Sequence, residues 1–270
     1  MNSTAKEYLS KVPEVVLTFW IIKIAATTLG ETGGDAVTMT WLHADKNAHN
    51  GGYLIGTLIF AAVFIAAVAI QIMLKKFNPW AYWAAIVAST TVGTALADMV
   101  DRSLGIGYPG GVAILISCVL LSLALWYMAL GSIDVRTVAT PKVEIFYWVT
   151  ITFSQTLGTA LGDWMADSAG TGYAGGALIF AAGLAILAAL YYWTSISRVF
   201  LFWAAFILTR PLGATVGDFL DKPFNHGGLD LSRPLASAII AAFIIACVLI
   251  LPQRAGEHPG SGHAEPAGAE

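Results

Sequence analysis

TLGTALGDWMAD, Thr156 to Asp167, closes an apolar run with two glycines four residues apart and with hydroxyls and carboxylates that an ordinary apolar helix does not require. Related segments stand at three other places: TTLGETGGDAVT (Thr27 to Thr38), TTVGTALADMVD (Thr90 to Asp101) and RPLGATVGDFLD (Arg210 to Asp221). Their first glycines are Gly30, Gly93, Gly158 and Gly213, and in every copy an aspartate follows five residues later: Asp35, Asp98, Asp163 and Asp218. A short loop comes next, then a glycine-rich restart into a second apolar run: GGYLIG after Asn50, GYPGG from Gly107, GYAGG from Gly172 and the more divergent GGLDLSRP from Gly227. The chain is therefore four copies of helix, motif, loop and helix, spanning residues 13–75, 78–131, 141–194 and 197–252.

Hydrophobic residues make up 57% of the 270 and charged residues only 11%, far below the roughly 25% charged of a soluble domain. Eight apolar runs approach the ~20 residues needed to cross a bilayer, where only helices and closed barrels satisfy their own backbone. The expected fold is an all-α membrane protein with eight transmembrane helices arranged as four pseudosymmetric helical hairpins. Each unit holds two spans, so successive copies enter from the same side and the pseudosymmetry axis lies along the membrane normal. Eight Lys and Arg residues fall on the side of the N-terminus (Lys6, Lys11, Lys75, Lys76, Arg136, Lys142, Arg198, Arg254) and four on the other (Lys46, Arg102, Lys222, Arg233). Under the positive-inside rule both termini are cytoplasmic and the motifs point outward.

Residues 1–252 form the expected membrane domain, whose first span belongs to a repeat and is not a cleaved signal. Residues 253–270, rich in Gly, Pro, Glu and His, are expected to be a disordered tail. Cys118 and Cys247 lie inside apolar runs and read as packing residues. A net charge of −3 gives no nucleic-acid signal.

On a helix, Gly30 with Gly34, Gly158 with Gly162 and Gly213 with Gly217 form small-xxx-small pairs, and Gly93 pairs with Ala97; these let a neighbouring backbone approach closely. An adjacent stripe is polar: Thr27, Glu31 and Asp35; Thr90, Thr94 and Asp98; Gln155, Thr159 and Asp163; Arg210, Ala214 and Asp218. A rise of about 1.5 Å per residue puts Asp163 roughly 25 Å along its span, near the outer edge, with Thr159 and Gln155 deeper. The aspartates are thus expected to line an outer vestibule. Lys23 and Arg210 lie deep in apolar spans, where cations face partners or a water-filled cavity, and Glu31 and the aspartates are the available anions.

Clustered carboxylates, threonine hydroxyls and a Gln amide are oxygen ligands, suited to hard or borderline divalent ions. The expected function is transport of a small cation, foremost a divalent metal ion, with no catalytic residues and no resident cofactor. Asp35, Asp98, Asp163 and Asp218 would bind or funnel the ion; Glu31, Thr94, Thr159 and Gln155 would continue the path; Lys23 and Arg210 would tune it. His43, Asp45, His49 and His226 in outer loops are a weaker recruiting set. The alternatives are a membrane scaffold or sensor in which the motif only packs helices, and a metal-dependent intramembrane transferase using the DxxD pairs at Asp98 and Asp218. No basic cluster for a diphosphate accompanies those pairs.

The repeated TLGxxxGD followed by GYxGG resembles an uncharacterised family of bacterial four-repeat integral membrane proteins, often labelled membrane-anchored protein. The resemblance runs from about Pro13 to Leu251. It implies an inner-membrane bacterial protein and carries no catalytic residues over.

Overall fold

The computed structural model describes residues 9–44, 51–103 and 106–257. Prolines with fixed φ start several helices where a missing N–H costs nothing: α3 begins at Pro79 and α5 at Pro141. Asn78 caps α3 by accepting from the Ala81 amide, and Ser197 caps α7 through the Phe200 amide. Eight helices result: α1 Leu17–Asp35, α2 Gly52–Met73, α3 Pro79–Asp98, α4 Tyr108–Leu130, α5 Pro141–Asp163, α6 Gly172–Trp193, α7 Arg198–Asp221 and α8 Arg233–Ile250. The described residues contain no strand beyond one isolated bridge between Pro13 and Ala255.

Six of the eight, all but α1 and α5, are long and apolar enough to cross a membrane. α1 carries Lys23, Glu31 and Asp35, and α5 carries Glu144, Gln155 and Asp163; these side chains are buried, so their polarity faces inward. The outer helices reverse the pattern of a soluble protein. Leu58 on α2, Met128 on α4, Leu178 on α6 and Leu249 on α8 are 62%, 80%, 71% and 68% exposed.

The four motif helices form a ring in the order α1, α3, α5, α7, closed by α7 against α1. Each motif glycine seats the residue three positions before the next copy's glycine: Gly30 against Thr90, Gly93 against Gln155, Gly158 against Arg210 and Gly213 against Thr27. Hydroxyls cross the same seams, Thr90 Oγ1 donating to the Ala26 carbonyl at 3.1 Å and Thr27 Oγ1 reaching the Thr209 carbonyl at 3.2 Å. The small-xxx-small reading of Gly30, Gly34, Gly93, Gly158, Gly162, Gly213 and Gly217 therefore has its neighbour: the next motif helix around the ring.

The outer helices correct one expectation. The two helices of a repeat are a hairpin in connectivity only. α2 packs on α3, α4 on α5, α6 on α7, and α8 returns to α1. Thr57 of α2 donates to the Ala95 carbonyl of α3, and Ser237 of α8 bonds Thr32 of α1. Within a repeat, contact gathers near the connecting loop, where α1, α3 and α5 run into π-helical turns at 36–41, 99–103 and 164–168.

The end of the ring away from the motif aspartates, here its base, is sealed by aromatic pairs that the motif reading passed over: Phe19-Trp20, Tyr82-Trp83, Tyr147-Trp148 and Phe202-Trp203, at the same offset before each motif glycine. They too are cyclic, Phe19 meeting Trp83, Tyr82 meeting Trp148, Tyr147 meeting Trp203 and Phe202 meeting Trp20, with ring centroids 5.6–6.4 Å apart. Below them the chain ends pair. Ser10 donates to the Gly256 carbonyl and Glu14 to that of Arg254, while Val12 is buried in the core. Residues 253–257 are thus held by the N-terminal arm, contrary to the free tail expected from Gln253; residues 258–270, with His258 and His263, lie outside the described residues.

Candidate functional site

The ring brings the polar stripes of all four copies onto one axis. Steps of four along each helix return a side chain to nearly the same face, so the interior is built in layers. From the aromatic base these are Phe19, Tyr82, Tyr147 and Phe202; then Lys23, Ile86, Ile151 and Phe206; then Thr27, Thr90, Gln155 and Arg210; then Glu31, Thr94, Thr159 and Ala214; and finally Asp35, Asp98, Asp163 and Asp218. All are buried.

Arg210 fills the fourth layer from the third. Its own helix offers only Ala214 there, and the guanidinium occupies the space a larger side chain would take. Nη1 donates to Glu31 Oε2 at 3.0 Å, and Nη2 donates to Thr94 Oγ1 at 2.6 Å and Thr159 Oγ1 at 2.5 Å. One side chain from α7 is therefore bonded to α1, α3 and α5. The planar fork suits such a task, since it offers five fixed donors and keeps its charge. Thr94 Oγ1 also lies 3.3 Å from Glu31 Oε2. Of the two deep cations, Arg210 has the partner expected for it. Lys23 does not: its Nζ makes no hydrogen bond among the described residues and lies 4.2 Å from the Phe206 ring centroid. Gln155 sits one layer below the plug, its amide donating to Ser89 Oγ at 3.4 Å. At the aromatic base the Tyr82 and Tyr147 hydroxyls share a hydrogen bond of 2.6 Å.

The aspartate layer departs from the expected open vestibule. Asp35, Asp98, Asp163 and Asp218 are only 1–3% exposed. Over Asp35 and Asp218 the cover is basic side chains from the end of α7 and the start of α8. Asp35, Asp98 and Asp163 each close an α-helix directly before a π-helical turn, whereas α7 continues regularly to Asp221. From the end of α7, Lys222 Nζ reaches Asp35 Oδ2 at 2.5 Å and Asp218 Oδ1 at 2.8 Å. Arg233 Nε lies 3.4 Å from Asp221 Oδ2 and 3.9 Å from Asp35 Oδ2. Among the described residues, Glu31, Asp35 and Asp218 offer carboxylate oxygens within 4.8 Å of one another. The stripe was legible from spacing; Lys222 and Arg233 were missed because single cations at helix ends have no period. His43 and His226 are exposed and stand outside this cluster, and Asp45 and His49 lie outside the described residues.

An all-helical ring of four internal repeats, polar on its axis and apolar on its rim, with helices of membrane-crossing length, defines the class. The chain belongs to the family described as Repeat of Unknown Function (DUF347), whose model matches four times, at residues 18–77, 81–131, 146–197 and 201–252. Neither the curated proteins nor the solved structures gave a match.

Proposed function

We propose that this protein is an inner-membrane carrier of a small cation, foremost a divalent metal ion, with eight spans and both termini in the cytoplasm. The observation that carries the reading is the convergence of four polar stripes on one axis, with the aspartate layer directly above a buried Arg210–Glu31 pair. Buried ionisable groups on helices of this length are costly, and in membranes they commonly mark ion pathways. The carboxylates collect the ion from outside, Glu31, Thr94 and Thr159 receive it, and Gln155 continues the path inward. Lys23 and Arg210 are the fixed charges that set its affinity.

The conformation described is a closed one. Arg210 fills the axis at one layer, and Ile86, Ile151 and Phe206 fill it beside Lys23. Passage requires the guanidinium to leave Glu31, which fits a carrier that alternates between states better than a standing pore. The transferase reading finds less support, since the space between the two carboxylates of this pair holds an ammonium: Lys222 Nζ lies 2.8 Å from Asp218 Oδ1 and 3.9 Å from Asp221 Oδ1.

The test is a gene deletion scored for tolerance to manganese, zinc, iron, cobalt and magnesium and for cellular content of each. The deletion is expected to change the cellular content of at least one metal, or the tolerance to it. The intact gene restores it, and Asp163→Asn, expressed to the same level, does not. Unchanged tolerance and content for every metal would instead return the protein to the scaffold reading, in which the motif only packs helices.

A further inference from the structure

Three carboxylates with mutual ligand spacing do not by themselves make a site; two further features of this end of the ring do. Asp35 is 1% exposed, and while its Oδ2 holds Lys222, its Oδ1 is buried without a hydrogen-bond donor among the described residues. A buried carboxylate oxygen without a donor loses its hydration with nothing in return, and a cation bound there would restore what it lost. Secondly, a positive charge already stands between two of the three carboxylates: Lys222 Nζ lies 2.5 Å from Asp35 Oδ2 and 2.8 Å from Asp218 Oδ1.

Resting on the carrier reading above, we propose that Glu31, Asp35 and Asp218 are the ligands of a divalent cation, and that Lys222 is a tethered competitor for the same oxygens. The ligands come from α1 and α7, the seam where the last repeat meets the first, so the site belongs to one corner of the ring and not to its fourfold centre. Oxygen separations of up to 4.8 Å fit a hard ion whose metal–oxygen distances are about 2.1–2.5 Å. Glu31 serves both sites: its Oε2 holds Arg210 at 3.0 Å, so an ion that recruits Glu31 draws on the bond that plugs the axis. Occupancy of the outer site and loosening of the plug are thereby linked through one carboxylate. Lys222, at the start of the loop after α7, has only to swing outward to admit the ion.

Manganese binding to the purified full chain in detergent, read as loss of the free Mn²⁺ signal by electron paramagnetic resonance, tests the site. The wild-type chain is expected to bind one Mn²⁺. Lys222→Met is expected to bind it about tenfold more tightly, because a competitor has been removed, and to gain a larger thermal shift from the metal. Asp35→Asn is expected to weaken binding at least tenfold, and Asp98→Asn, across the ring, by about threefold or less through the lost field alone. The gain in Lys222→Met cannot come from misfolding, so it guards against a destabilised Asp35→Asn chain. If Lys222→Met binds no more tightly, or Asp98→Asn loses as much as Asp35→Asn, the corner site is wrong while the carrier reading stands. If the wild-type chain binds no Mn²⁺ and the deletion strain still has altered metal content, the corner site fails alone; if metal content is also unaltered, both fail.

Discussion

Gly93→Val is expected to abolish the folded protein, with no monodisperse species in detergent by size-exclusion chromatography. A Cβ on Gly93 would lie 2.9 Å from the Gln155 carbonyl carbon and 3.0 Å from the Thr156 amide nitrogen. Both are backbone atoms of α5, so no side-chain rotation relieves the clash, and α3 must move away from α5. Helices in lipid are held by close dispersion contacts without a hydrophobic drive between them, so separation forfeits what holds this seam. Overpacking of this kind costs on the order of 3 kcal/mol, enough to unfold a marginal protein. Gly33→Ala is the control: its Cβ would meet nothing nearer than 3.8 Å, and alanine is the better helix former by up to about 1 kcal/mol. A Gly93→Val chain that elutes and melts like the parent would remove the basis for the ring.

Arg210→Met carries the second large effect. It leaves Glu31 buried, 3% exposed, without its cation, and breaking a buried pair in this way costs about 3–5 kcal/mol. The same is expected of Glu31→Leu, which strands the guanidinium. The double variant Arg210→Met with Glu31→Leu removes both charges together and is expected to recover most of the lost stability, because well-packed apolar groups often replace a buried pair without penalty. It is not expected to restore metal content in the deletion strain. Thermal unfolding of the four chains measures the coupling directly. If both single variants melt with the wild type, the pair does not hold the axis.

The glycine spacing and the polar stripe were legible because both obey helical periods and recur four times, so chance is a poor rival. The layers follow from the same arithmetic, and Glu31, Thr94, Thr159 and Arg210 do meet. The aromatic pairs were equally legible in principle, since Phe19, Tyr82, Tyr147 and Phe202 stand at one offset from the motif glycines. They were overlooked because an aromatic in an apolar helix raises no question by itself. Burial of the aspartates was not legible: a helical rise gives depth along the axis and says nothing about what folds over the end. Nor was the complementarity of Ala214 and Arg210, one residue leaving the room that the other fills, because it becomes visible only when four helices face one another. Lys23, whose depth suggested a carboxylate partner, instead lies against Phe206, a difference set by the register of α7 against α1.

Because α2, α4 and α6 each lean on the helix that follows, the chain leaves the ribosome with three of its outer helices waiting for a surface not yet made. The last debt is the longest: α1, the earliest of these eight helices, receives its cover only when α8 arrives, its start more than two hundred residues after that of α1. A repeat is therefore the unit of sequence without being the unit of folding. The circle closes only when α8 reaches α1. Once it is closed, its corners are free to diverge one at a time, as the corner between α7 and α1 has done.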